Sequence, residues 1–331
     1  MSFRSIRWWL AALFLLAFPF RSPAPFMYRP GEGWTYEPYG SEGKWRKPTA
    51  KEQMDMAQVA FDKKDYRLAL KAARYLVKHW EVSDYAPQAQ YLVGRCYEAQ
   101  GQDERAFKEY QKLLEKQPKI ADYQEILQRQ FQIANRYLAG KWFRVLHYVP
   151  LYPSMDRTAE MYAKIVRTGP YSEVAPQAQL KVGMAREKQK NFSLAAKAYE
   201  LAADRYHDRP QIAAEALFRA GFAYYKQAQT AEYDQSAAGQ AIATFSDFLE
   251  LYPTDSRLPQ AQKMIGALKH EQARGSFRTA QFYEKYKKWN GAMVYYNEVL
   301  QLSQQEPDSS FATQAKSRIA ELKKRTQTAT K

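Results

Sequence analysis

The stretch APQAQYLVGRCYEAQG at residues 86–101 returns as APQAQLKVGMAREKQK at 175–190 and as LPQAQKMIGALKHEQA at 258–273. Each copy carries Pro-Gln-Ala-Gln and then a glycine at the same offset, giving Pro87 with Gly94, Pro176 with Gly183 and Pro259 with Gly266. The prolines stand 89 and 83 residues apart, which leaves room for two units of roughly 40 residues between copies. Self-similarity at a fixed period, in a polar and Ala-rich chain, predicts a stacked array of helices.

A tighter unit follows from Gly94, Tyr97, Ala106, Tyr110 and Pro118. A small residue is followed at +3 by an aromatic, at +12 by a second small residue, at +16 by a second aromatic and at +24 by a proline. Small residues let two antiparallel helices approach, aromatics fill the space between neighbouring pairs, and the proline stops the second helix. The pattern resembles the tetratricopeptide repeat, a unit of about 34 residues. Gly183, Ala195, Tyr199 and Ala202 keep most of it, Ala280, Tyr283, Ala292 and Tyr296 keep it again, and Ala57 and Ala69 mark a degenerate first copy. Two more copies need insertions. After Ala134 and Tyr137, the partners Thr158 and Tyr162 arrive twelve residues late; after Gly221 and Tyr224, Ala241 and Phe245 arrive eight residues late. The first insertion is KWFRVLHYVPLYP, Lys141 to Pro153, and the second, near Thr230 to Ala238, is polar.

The fold expected is all-α, a superhelical array of six tetratricopeptide-like antiparallel helix pairs, with twelve to thirteen helices and no sheet. The second helices should stop at or before Pro118, Pro170 and Pro253. Leu258 to about Tyr286 should form one long helix or two coaxial ones.

The repeat region spans 49–327, and the chain before it is of another kind. Met1 to Arg7 carries two arginines and no acid, and Trp8 to Phe20 is an unbroken apolar run of thirteen residues. A basic start with an apolar run shorter than the roughly 20 residues of a spanning helix reads as an export signal or N-terminal anchor over 1–24. Residues 25–48, with five prolines in or just before them, four glycines and Trp34, Tyr36, Tyr39 and Trp45, read as an extended tether. The chain has 331 residues, with 50 Lys+Arg against 35 Asp+Glu and a formal charge of +15. Its one cysteine, Cys96, excludes a disulfide framework, a Cys-rich zinc domain and a CxxC redox site. A mean hydropathy of −0.66 excludes a polytopic membrane protein. The four histidines are scattered, and no nucleotide-binding or nucleophile motif occurs, so neither enzyme activity, cofactor nor metal is expected. Export and the spread of lysines over many helices argue against nucleic acid and for acidic partners or anionic head groups.

Over about residues 50–322, and most over 240–302, the chain resembles the BamD family, periplasmic lipoproteins of the outer-membrane β-barrel assembly machinery. The resemblance rests on Tyr252-Pro253-Thr254 after a helix, on Phe282-Tyr283-Glu284-Lys285-Tyr286 ending a long one, and on Trp289-Asn290-Gly291-Ala292 opening its partner. Both insertions also fall where that family carries long loops. It implies a periplasmic scaffold, associated with the outer membrane, that meets β-barrel assembly components or unfolded outer-membrane proteins. Members carry a lipidated cysteine at the end of the signal; here no cysteine lies near that position. That difference favours the alternative, an envelope adaptor linked to peptidoglycan or division with no role in barrel insertion. Counting from the small-residue mark places Met54, Gln58, Phe61, Gln88, Tyr91, Arg95, Glu98, Phe131 and Asn135 on the concave, partner-binding face. In the apolar insertion, Trp142, Phe143, Leu146, Tyr148 and Tyr152 are expected either to seal the array or to touch a partner or a membrane surface.

Overall fold

The computed structural model describes residues 26–29, 33–36, 45–120, 122–145, 149–230, 235–303 and 309–328. The export signal expected over 1–24 lies outside them, as does half of the 25–48 tether. Two compact units divide the chain, Met1–Leu113 and Leu114–Lys331.

The first unit opens with the antiparallel strands β1 (Phe26–Arg29) and β2 (Gly33–Tyr36), in which Phe26 stands opposite Tyr36. Helices α1 (Ala50–Asp62), α2 (Tyr66–His79), α3 (Ala86–Ala99) and α4 (Asp103–Lys116) follow, the last running across the boundary. Local chemistry sets their ends. The Thr49 hydroxyl caps α1 by accepting from the Glu52 amide, and the Asp65 carboxylate caps α2 by accepting from the Leu68 amide. Lys64 takes a φ of 61° between the two helices, the left-handed turn that ends many helices. Ala57, Ala60, Ala69, Ala72 and Ala73 are buried, so the two backbones can pack closely.

In the second unit, α5 (Tyr123–Leu138), α6 (Met155–Thr168), α7 (Ala175–Lys188), α8 (Phe192–Arg205), α9 (Pro210–Thr230), α10 (Gln235–Leu251), α11 (Leu258–Lys285), α12 (Trp289–Leu302) and α13 (Ser310–Thr328) succeed one another. Each packs mainly on the helices next to it in sequence, with α7 also touching α9, and α9 touching α11. Such nearest-neighbour packing is what defines a helical-repeat array. Thirteen helices stand among the described residues. The expected stops hold, for α4 ends at Lys116, α6 at Thr168 and α10 at Leu251, each just before its proline. α11 runs 28 residues without a break.

The expectation of no sheet is corrected by two short hairpins. The Lys141 to Pro153 insertion is not a plain loop. It pairs β3 (Phe143–Val145) with β4 (Val149–Tyr152), setting Phe143 opposite Tyr152 and Val145 opposite Val149. Aromatic and β-branched residues on both sides favour this pairing over coil. The array itself remains all-α.

Candidate partner-binding surface

Beyond the alanine-packed first pair, an aromatic ring of the second helix sits against the small residue of the first. A Cβ placed on Gly94 of α3 would lie 2.2 Å from the Tyr110 ring of α4, and one on Gly183 of α7 would lie 2.4 Å from the Tyr199 ring of α8. The ring therefore occupies the space a side chain would need. One turn further along the first helix, a glutamate receives the phenol. Tyr110 donates to Glu98 at 2.9 Å, Tyr199 to Glu187 at 2.7 Å and Tyr296 to Glu284 at 2.8 Å. Burial, reinforced by the facing carboxylate, pushes the Tyr199 and Tyr296 phenols well above their usual range. Where Phe245 replaces the tyrosine, its ring presses on Gly221 in the same way, and the position of the glutamate is Tyr225. The acid accompanies the hydroxyl in these three pairs, whereas the Tyr162 hydroxyl of α6 finds its acceptor in Asn135. Glu284, which by spacing reads as a solvated partner of Lys288, is thus tied to Tyr296 in the structure.

In the first unit, three of the expected groove residues meet. The Arg95 guanidinium lies 5.2 Å from the Phe61 ring centre and 5.8 Å from that of Tyr91. Tyr91 leans on Tyr110 at 5.8 Å, and Phe61 meets Tyr66 edge-on at 5.4 Å. All three are half-buried, so each keeps an open side. Met54 is half-buried, Gln88 is exposed, and exposed Gln58 donates its amide to Asp62. Glu98 is engaged by Tyr110. The cluster offers flat aromatic faces around a fixed cation, which suits a peptide carrying aromatic and acidic groups.

The other two expected groove residues belong to the second unit and serve its interior. Phe131 is 6 % exposed, packed edge-on to Tyr162 at 5.8 Å, and therefore does not line an open groove. Asn135 accepts from the Tyr162 hydroxyl at 2.6 Å. Lys181 of α7 covers the Phe131 ring at 5.7 Å. Burial lowers the Lys181 pKa, and Arg219 and Lys188 add to the effect.

Spacing alone missed the polar row that Lys181 begins. Arg219 of α9 pairs with Glu215 on its own helix and with Glu187 of α7 at 3.6 Å. Arg257, at the start of α11, pairs with Glu215 and, at 2.7 Å, with Asp255, and holds the Asp255 carboxyl at about 2. A signal was there to be found. Lys181 and Arg219 both stand two residues before the small-residue mark of their units.

The insertion divides its residues. Phe143 is 3 % exposed, stacked on Tyr137 at 4.1 Å and covered by Arg157 at 4.2 Å, while Trp142 is 52 % exposed. Leu146 and Tyr148 lie outside the described residues, and Tyr152 stands opposite Phe143 in the strand register. Cys96 is buried, which pushes its thiol up to about 12 and makes it a packing residue rather than a nucleophile. Among the described residues, no cluster of histidine, cysteine and acid has the form of a metal site, and no helix is long and apolar enough to cross a membrane.

The fold is an all-α array of tetratricopeptide-like helix pairs, an architecture that generally mediates protein–protein contact. The tetratricopeptide-repeat profile matches residues 54–119, and the profile of the outer membrane lipoprotein family YfiO, the BamD family, matches residues 154–305. No curated protein matches the chain. Among solved structures, it is similar to the C-terminal part of a repeat-containing protein from Cytophaga hutchinsonii, at 15% identity over 82% of this chain and 88% of that one, with a TM-score of 0.36. A tetratricopeptide repeat protein from Parabacteroides merdae is similar at 11% identity, over 82% of this chain and 98% of that one, with a TM-score of 0.34. MamA from Desulfovibrio magneticus matches at 14% identity, over 63% and 98%, with a TM-score of 0.32.

Proposed function

We propose that this protein is a non-enzymatic periplasmic scaffold of outer-membrane β-barrel assembly, holding extended segments of clients or partners on the first-helix faces of its repeats. The observation that carries this reading is the match of residues 154–305 to the outer membrane lipoprotein family. The Phe61–Arg95–Tyr91 cluster supports it, since an unfolded barrel segment brings aromatic side chains, free backbone amides and acidic groups to be held. The export signal expected at 1–24 agrees with an envelope location. Capture of the tagged full chain from crosslinked envelopes tests the proposal. Recovery of a β-barrel assembly component supports it.

A second reading is favoured by the position of the sole cysteine, buried in α3 rather than near the end of the apolar run. In that reading the chain is an envelope adaptor that coordinates peptidoglycan or division proteins without touching barrel insertion. Recovery of those proteins alone in the same capture would favour it.

A further inference from the structure

Helix α2 is built differently from the other helices of the array. Its sequence, YRLALKAARYLVKH, contains no acidic residue. Arg67, Lys71, Arg74 and Lys78 recur at spacings of four, three and four, which places them on one flank of the helix. All four are exposed, while Ala69, Ala72, Ala73 and Leu76 are buried. The helix thus turns a row of cations outward from an Ala and Leu core.

An aromatic cluster adjoins that row. Trp45 meets Tyr75 edge-on at 5.4 Å, and Tyr75 meets Trp80 edge-on at 5.7 Å. Lys71 lies 4.5 Å over the Trp45 ring. Just beyond Trp80, Val82 is 99% exposed. Half-buried tryptophan and tyrosine among cations, with a bare aliphatic side chain beside them, match the chemistry of a bilayer interface, where rings sit at head-group depth and cations meet lipid phosphates.

The same spot is where the chain enters the repeats. The buried Gln53 amide donates to the Trp45 carbonyl and to the Ala72 carbonyl, both at 3.2 Å, and its oxygen accepts from the Lys47 amide at 2.8 Å. This clamp fixes the incoming segment to α1 and α2 together. The apolar run ends at Phe20, so 24 residues separate it from Trp45. A tether of that length keeps this face close to whatever surface holds the run, raising its local concentration there.

We infer that the outer face of α2, with Trp45 and Trp80, is a docking surface for an anionic lipid bilayer, acting as a second membrane signal beside the N-terminal apolar run. Two weak signals of this kind add to give stable association where one does not. The inference stands whatever segment the repeat face holds.

The test uses the full chain and vesicles of phosphatidylcholine, either pure or with about 30% phosphatidylglycerol. Binding to neutral vesicles reads the apolar run, and the excess on anionic vesicles reads α2. The expected result is an excess of about tenfold or more that falls away in about 0.5 M salt. The double variant Arg67→Glu/Lys78→Glu should lose that excess and keep its neutral binding, while Arg67→Lys/Lys78→Arg should keep both. Should charge reversal lower the melting temperature, Arg67→Gln/Lys78→Gln takes its place with the same expectation. An excess that survives charge removal overturns the inference, because it then comes from the general charge of the chain. Absence of any excess overturns it too, as does the finding that the face binds an acidic protein and no lipid.

Discussion

A tyrosine that packs against a small residue, and whose hydroxyl then needs an acceptor, explains much of the repeat at the residue scale. The spacing from Gly94 to Tyr110 was legible in the sequence because close packing leaves a size signature, small against large at +16. The acceptor was not. A glutamate four residues after the glycine looks like any solvated acid on a helix until the fold brings a phenol to it. The packing gives a matched pair of predictions. Gly94→Leu should cost about 1–3 kcal/mol by overpacking, because the Tyr110 ring that it meets is fully buried and has nowhere to go. Gly266→Ala, also inside a helix, meets nothing within 4 Å, and should gain up to about 1 kcal/mol from helix propensity alone. Chemical denaturation of the two variants checks both signs, and equal effects would show that the repeat register is wrong.

Among elements, prolines and the recurring small residues made the helices readable, and α11 in particular follows from an apolar period that no proline interrupts after Pro259. The Lys141 to Pro153 hairpin was less readable. Its residues mark it as apolar, but apolarity by itself does not distinguish a strand pair from a buried loop, and its pairing depends on Tyr137 and Arg157, which hold Phe143. The structure also separates two roles that spacing had merged. Phe143→Ala should lower stability by about 3–5 kcal/mol, the cost of emptying a buried aromatic site. Trp142→Ala should stay within about 0.5 kcal/mol, as for an exposed position, so any loss of envelope association in that variant reports contact and not folding. Thermal melts paired with fractionation separate the two outcomes.

For the whole molecule, the number of repeats was legible but the division into units was not. The boundary falls between Leu113 and Leu114, inside α4, where the repeat spacing shows no break. The two profile matches do not overlap, one lying over 54–119 and the other over 154–305. The expected groove divides in the same way. Its first-unit members Phe61, Tyr91 and Arg95 form an accessible cluster, whereas Phe131 and Asn135 are drawn into the α5–α6 pair by Tyr162. Counting along one helix places residues on a face; whether that face stays open depends on how the next helix packs over it, as Tyr162 of α6 does over Phe131. On the proposed function, the accessible face holds extended outer-membrane protein segments. The most direct measurement is fluorescence anisotropy of a labelled peptide from the C-terminal strand of an outer-membrane β-barrel protein, titrated with the full chain and with its Arg95→Glu variant. Saturable binding that weakens at least about tenfold in the variant, a loss of about 1.4 kcal/mol, with helicity unchanged, is the result predicted. Equal binding by both chains, or no binding by either, would contradict it.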